Sequence, residues 1–289
     1  MESLWQTTKI GIIIVHHQAQ ANLKDCLQSV CQNDIPFEHQ ILIVYDPSIT
    51  ISENELRPIC PDLKFWENRA NTIYASSCNQ AAGKTRGEYL LFLNSNTTIA
   101  KNSIVEMVRF MDKHFEVGLL GSKIIDQNNR PKDICMKNFP DWTALYLENS
   151  IVKKFFKQTK PFKDFHRTYD DRSRTLIVDA ISCSTACMIR RDAWKVIGYM
   201  DQTIESELCD IDYCKRAYTN KWQVGYLPTS VVQCQELSQP QNLDPSRSFN
   251  SEINFVQKYY SKKINFIYKN LRKLEYLITG KFFSLKGAQ

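Results

Sequence analysis

The sequence contains no apolar run approaching the roughly 18 residues that a bilayer-spanning helix needs. Its first apolar stretch, residues 10–15, is too short for the core of a secretory signal, and no small-residue cleavage site follows it. The expectation is a protein that stays in the cytoplasm, where it is made. No CxxC pair occurs among its ten cysteines. Disulfide frameworks belong to small secreted domains, so these cysteines are read as reduced, mostly buried apolar side chains. Cys183, Cys187, Cys209, Cys214 and Cys234 are poorly spaced for zinc. Net charge is also missing from most of the chain. Residues 251–289 hold eight Lys/Arg against two Glu, and this +6 equals the total for all 289 residues (37 − 31). A neutral body argues against nucleic-acid binding. With 43% hydrophobic and 24% charged residues the chain is ordered rather than disordered, and long enough for one large domain or for one domain with an extension.

What is present is an alternation of strands and helices. Ile10-Gly11-Ile12-Ile13-Ile14-Val15 is a continuous, β-branched run ending in polar His16-His17-Gln18, the pattern of a buried strand. Leu23, Cys26, Leu27 and Val30 follow at helical spacing behind Asn22, a fair N-cap. Residues 41–45 form a second strand, closed by the turn Asp46-Pro47-Ser48. A helix over 75–84 with a strand over 89–93, and a helix over 104–114 with a strand over 119–125, continue the alternation. This order predicts an α/β fold with a doubly wound, mostly parallel sheet. Residues 130–176 are irregular, aromatic and basic, the mark of a functional loop. Residues 239–248 have the composition of a linker. Beyond them Val256, Tyr260, Ile264, Ile267, Leu271, Leu274 and Ile278 make one apolar helical stripe, with Lys258, Lys262, Lys269, Arg272 and Lys273 between its positions. Such a basic amphipathic tail suits either an anionic membrane surface or packing on its own domain.

The most informative stretch runs from Ala75-Ser76-Ser77 through Asn79, Ala81 and Ala82 to Arg86-Gly87-Glu88. It then enters the strand Tyr89-Leu90-Leu91-Phe92-Leu93 and ends in the polar cluster Asn94-Ser95-Asn96-Thr97. The carboxyl end of a buried parallel strand is where such folds place ligands. Further along come Gly121-Ser122-Lys123, Phe139-Pro140, Ile189-Arg190-Arg191-Asp192-Ala193-Trp194 and Gly198-Tyr199-Met200-Asp201-Gln202. Cys209-Asp210-Ile211-Asp212-Tyr213-Cys214-Lys215-Arg216 and the segment 228–234 complete the series. Together, in this order over residues 9–240, they resemble the family 2 glycosyltransferases. Phe139-Pro140 and the 189–194 stretch are similar to that family's rhamnosyltransferase-like branch.

The resemblance implies a GT-A type fold over residues 5–240, with a nucleotide-sugar half (about 5–100), an acceptor half (101–240) and a basic amphipathic helical tail (241–289). It also implies inverting transfer of a sugar, rhamnose in the branch it resembles, from a nucleotide-sugar donor. The acceptor would be a saccharide or lipid-linked saccharide, as in cell-surface polysaccharide synthesis at the cytoplasmic membrane face. Asp210 matches the family's base and Asp212 its second acid; the alternative for Asp210 is an ordinary helix-N-terminal carboxylate, and the retained spacing to Asp212 favours the base. Val15, His16, Asp46, Asn79, Asn94, Ser95 and Asn96 match the donor side, Asp46 lying one residue beyond the family's position at Tyr45. The metal side departs from the pattern. Asn96 stands where the family has its metal-binding Asp, Cys234 stands for a His, Cys209 for a Glu, and Ile73 for a Gly. Hard cations prefer carboxylate oxygens, so Mn²⁺ or Mg²⁺ is expected to bind weakly. The same losses leave a second reading open, a non-catalytic partner subunit or sugar-nucleotide binder on this scaffold. Oligomeric state is not legible in the sequence.

Overall fold

The structure is a computed structural model and describes residues 8–17, 22–69, 72–205, 207–235 and 245–278. β1 (Ile10–His16) is buried along its whole length, as its β-branched run demands. α1 (Leu23–Cys31) starts behind Asn22, whose side-chain oxygen accepts from the Asp25 backbone N–H at 3.2 Å. There follow β2 (His39–Tyr45), α2 (Glu53–Leu56), β3 (Lys64–Glu67), α3 (Tyr74–Lys84), β4 (Tyr89–Asn94), β5 (Thr97–Ile99), α4 (Ser103–Lys113) and β6 (Val117–Ile125). The chain continues through β7 (Met136–Lys137), α5 (Trp142–Asn149), α6 (Lys153–Phe156), α7 (Lys160–Phe165), β8 (Leu176–Val178), β9 (Ala180–Ile181) and β10 (Ala186–Arg190). It closes with α8 (Arg191–Ile197), α9 (Glu207–Thr219), β11 (Gln223–Cys234), α10 (Pro245–Tyr259) and α11 (Lys262–Ile278).

The main sheet has the order β3-β2-β1-β4-β10-β6-β11-β5, with β8 beside β11. Strands β1 to β4 are mutually parallel, and β10 runs antiparallel between β4 and β6. This is the expected α/β fold of GT-A type, with helices at its C-terminal end. The chain leaves β1 toward β2 on one side and returns to β4 on the other, so the carboxyl ends of β1 and β4 border the topological switch point. Side chains alternate across the sheet. Ile13, Val15, Leu90 and Phe92 pack toward one face with residues of α3, α8, α9 and α10. Ile12, Ile14, Leu91 and Leu93 pack toward the other with α1 and α4.

The Arg86-Gly87-Glu88 turn has a steric reason. Gly87 lies at φ +138°, and a Cβ there would sit 2.6 Å from the Gly11 backbone nitrogen. A Cβ on Gly11 would in turn sit 2.7 Å from the Arg86 carbonyl oxygen. The Arg191 guanidinium donates to the Gly87 carbonyl and, at 3.0 Å, to that of Thr85, fastening the turn that feeds β4.

Three expectations need correction. Residues 130–176 are not one irregular loop, because α5, α6 and α7 lie within them; α5 is capped by Asp141, which accepts from the Ala144 N–H at 2.7 Å. The linker expected at 239–248 is helical from residue 245, while 236–244 lie outside the described residues. The tail stripe is divided between two helices. Val256 on α10 is fully buried, whereas Ile267, Leu274 and Ile278 on α11 face outward. α11 packs instead through Tyr268, Arg272 and Tyr276, with the Arg272 guanidinium 2.8 Å from Glu252. All ten cysteines are free thiols and eight are buried.

Candidate active site

The parallel register sets Val15 of β1 opposite Asn94 of β4, and the Ser95 backbone N–H donates to the Val15 carbonyl at 3.1 Å. His16 Nδ1 lies 2.8 Å from Ser95 Oγ in a buried contact. Burial, and to a lesser extent repulsion from His17 when that ring is protonated, pushes the His16 pKa down to about 4, so its ring is neutral at pH 7. Next to it, Ser77 of α3 bridges His17 Nε2 at 2.9 Å and the Asn68 amide at 2.7 Å. Asp46 is buried just past β2 and accepts from the Ser48 N–H and hydroxyl at 2.9 and 2.6 Å. Its carboxylate favours protonation of His17, while burial of the ring opposes it more strongly. The Tyr45 hydroxyl is turned to Glu67 at 3.3 Å. Val15, His16, Asp46, Asn94 and Ser95 therefore gather at the carboxyl edge of the parallel strands.

Asn79 is placed differently. Its amide donates to the Met200 carbonyl at 2.9 Å and its oxygen accepts from the Met200 N–H at 2.8 Å. Both ends of the amide hold the 198–201 loop on α3.

Past β4 the Asn94 oxygen accepts from the Asn96 N–H at 3.2 Å, and its amide nitrogen lies 3.4 Å from the Ser184 carbonyl. Asn96 exchanges contacts with Gln235: the Gln235 N–H donates to the Asn96 carbonyl at 3.0 Å, and the Asn96 amide reaches the Gln235 carbonyl at 3.5 Å. Cys234 pairs across the β5–β11 ladder with Thr97, so Asn96 and Cys234 are neighbours in the fold. The side-chain oxygen of Asn96 is buried and has no partner among the described residues. An orphaned acceptor is where a cation or donor group could sit. It is nonetheless a neutral oxygen beside a thiol, and among the described residues no group of three His, Cys, Asp or Glu side chains could hold a metal. The described donor set does not fit a firmly held Mn²⁺ or Mg²⁺.

Asp210 lies in the first turn of α9 and is 4% exposed. The Ser184 hydroxyl donates to its Oδ2 at 2.7 Å, and that of Ser182 reaches it at 3.5 Å. Burial pushes the Asp210 pKa up to about 7, against the Ser184 hydrogen bonds, and the Glu207 charge adds to the rise. Ser184 also connects the carboxyl to Asn94, so Asp210 is two hydrogen bonds from the end of β4. A pocket opens beside Asp210, lined among others by Lys137, Ser182 and Glu207. Lys137 is buried and ion-paired to Glu207.

Asp212 is two residues away on the same helix but outside that pocket. It is fully buried, 2.9 Å from Arg216, 2.7 Å from Lys258 and 2.6 Å from the Tyr259 hydroxyl. Its carboxylate joins α9 to α10. Lys137, Ser182, Ser184 and Glu207 are absent from the residues picked out by motif. Glu207 shares a helix face with Asp210 at i,i+3, and the serines belong to the small-residue stretch 182–187. Lys137 carries no sequence signal, since it stands on a two-residue strand.

The sequence pattern of the family described as "Glycosyl transferase family 2" matches residues 11–198, so Asp210 lies beyond the matched part. No curated protein matches the chain at a significant level. Among solved structures, TarS of S. aureus is similar with a TM-score of 0.58 and 17% identity, over 87% of this chain and 39% of that one. TarS 1–349 in complex with UDP-GlcNAc aligns with a TM-score of 0.58 and 16% identity, over 91% of this chain and 70% of that one. GalNAc-T7 with UDP, GalNAc and Mn²⁺ aligns with a TM-score of 0.64 and 12% identity, over 89% of this chain and 49% of that one. The chain thus spans two fifths of TarS and half of GalNAc-T7. At these identities the likeness is one of fold.

Proposed function

The chain belongs to glycosyl transferase family 2, and from that premise we propose that it transfers a sugar from a nucleotide-sugar donor with inversion, using Asp210 as the base. One observation carries this reading: the buried Asp210 carboxyl, with a pKa near 7, borders a pocket and is tied through Ser184 to the end of β4. A base poised near the working pH combines a substantial ionised fraction with useful proton affinity. The acceptor hydroxyl oxygen bonds to the anomeric carbon, the bond from that carbon to the diphosphate oxygen breaks, and the hydroxyl proton passes to Asp210. The nucleoside diphosphate leaves from the opposite face.

The donor is read as lying along the carboxyl edge formed by Val15, His16, Asp46, Asn94 and Ser95. Neutral His16 and the Asn94–Ser95 turn offer hydrogen bonds there rather than charge. Asn79 and Asp212 act as positioning residues, one for the 198–201 loop and one for α10. Rhamnose is the sugar suggested by the resemblance at 139–140 and 189–194. The acceptor class is a saccharide or lipid-linked saccharide presented at the cytoplasmic membrane face. Binding of Mn²⁺ or Mg²⁺ is read as weak, because Asn96 supplies a neutral oxygen where a carboxylate would be needed.

The losses at Asn96, Cys209 and Cys234 favour a second reading, a non-catalytic subunit or sugar-nucleotide binder on the same scaffold. A panel of nucleotide sugars, assayed for transfer and hydrolysis with and without Mn²⁺ or Mg²⁺, separates the two. Turnover of one donor supports the enzyme; nucleotide binding with no turnover of any donor supports the binder.

A further inference from the structure

The packing of α11 buries two tyrosines but leaves Phe266, Leu274, Leu277 and Ile278 facing outward. The helix meets the body through Tyr268, Arg272, Glu275 and Tyr276, all buried, with Arg272 ion-paired to Glu252 of α10 and, within the helix, to Glu275. Its outward side presents Phe266 (72% exposed), Ile278 (71%) and Leu274 (55%), with Lys262, Lys263, Lys269 and Lys273 exposed around them. A second segment adjoins it from far away in sequence. The Ile151 N–H donates to Glu275, the residue next to Leu274, and α6 follows directly with Phe155 84% exposed. Exposed Lys154, Lys157 and Lys160 flank that phenylalanine. Neither segment offers an exposed carboxylate: Glu275 is the one acid of α11 and is buried, and residues 149–163 contain none.

We propose that the outward face of α11 and the adjoining 151–160 segment together form a docking surface for an anionic lipid bilayer. Apolar side chains rimmed by lysines, on a helix lying along the surface, match an interface of acyl chains under negative headgroups. No described helix is long and apolar enough to cross a membrane, so this is contact with one leaflet. A second copy of the chain is the less suitable occupant. A two-fold contact would set these lysines against one another with no exposed acid on either segment to offset them. The surface bears on the lipid-linked acceptor reading but stands on separate observations, and vesicle binding is read without any sugar transfer.

The test is flotation of the full chain with phosphatidylcholine vesicles, plain or with about a third phosphatidylserine, at roughly 0.05 and 0.5 M salt. Binding is expected on the anionic vesicles at low salt and lost at high salt. Leu274→Ser with Ile278→Ser, Phe155→Ser, and Lys154→Glu with Lys157→Glu should each weaken it by about tenfold or more. All these side chains are exposed, so melting temperatures should match the parent protein. Failure to float with anionic vesicles at low salt overturns the proposal. So does equal binding to plain vesicles, or an effect of the α11 substitutions with none from Phe155→Ser or the lysine reversals. A dimer that Leu274→Ser dissociates, with no vesicle binding, would assign the surface to a second copy instead.

Discussion

Replacing Asp212 by alanine removes the shared acceptor of three donors, the Arg216 guanidinium, the Lys258 ammonium and the Tyr259 hydroxyl. Stripping one partner from a buried charge pair typically costs about 3–5 kcal/mol, because the other charge remains. Three features place this case at the low end. Lys258 keeps Asp201 at 2.7 Å and is one third exposed, and Arg216 retains the Ile197 carbonyl at 2.9 Å. Against that, one Arg216 nitrogen is already buried with no partner among the described residues, so the guanidinium has little to fall back on. A loss of about 3 kcal/mol is expected, or roughly 5 °C in melting temperature for a chain of this size. Asp212→Asn keeps an acceptor for Tyr259 while removing the charge, and should lose about half as much. Urea denaturation gives the free energies, and transfer measured well below the melting point should fall far less than the hundredfold or more that removal of a base costs. An Asp212→Ala protein that melts within about 1 °C of the parent yet loses transfer a hundredfold would refute the reasoning. Asp212 would then belong to the chemistry.

Transfer should rise with pH through about 7 and level off above it, because Asp210 must be ionised to take a proton; a rate flat from pH 5 to 8 would contradict this. The stability sign is the opposite. A carboxyl raised from 3.8 to about 7 holds a proton in the folded state that the unfolded chain has released, so stability falls as pH climbs through that window. Asp210→Asn should therefore be more stable than the parent at pH 8, by roughly 2–4 kcal/mol in urea titrations, with the advantage gone near pH 4. Asn96→Asp should strengthen the Mn²⁺ dependence of nucleotide binding in calorimetry, whereas tight, metal-dependent donor binding by the unmodified protein would contradict the weak-metal reading. Gly87→Ala meets both a positive φ and the Gly11 backbone, and should cost roughly 2–4 kcal/mol in denaturant titrations; no loss would mean that the turn can relax.

The parallel half of the fold was legible because its strands are buried on both faces. The runs at residues 10–15 and 89–93 have no competing helical period, and Asn22 caps where its side chain suggests. The segment 130–176 was not legible, since α6 and α7 are single turns and the apolar residues of α5 follow no helical period. The tail misled in an instructive way. Its stripe has the right period, but α11 is held by an ion-paired Arg272 and two tyrosines rather than by its aliphatic side chains. Periodicity tells which residues share a face, not which face meets the body. At the site, motif order singled out Asp210, while Ser184, which positions it, lies in a stretch whose small residues signal only close packing. Lys137 reaches the pocket from a two-residue strand fixed by tertiary pairing with β9, and no local pattern encodes that.

The central claim is that this chain transfers sugar from a nucleotide donor with Asp210 as base. Its most direct test is turnover of the parent protein and Asp210→Asn side by side, on whichever nucleotide sugar in the panel binds. The account expects transfer by the parent and a loss of about a hundredfold or more in the variant, with donor affinity retained. Equal turnover by both proteins would contradict it.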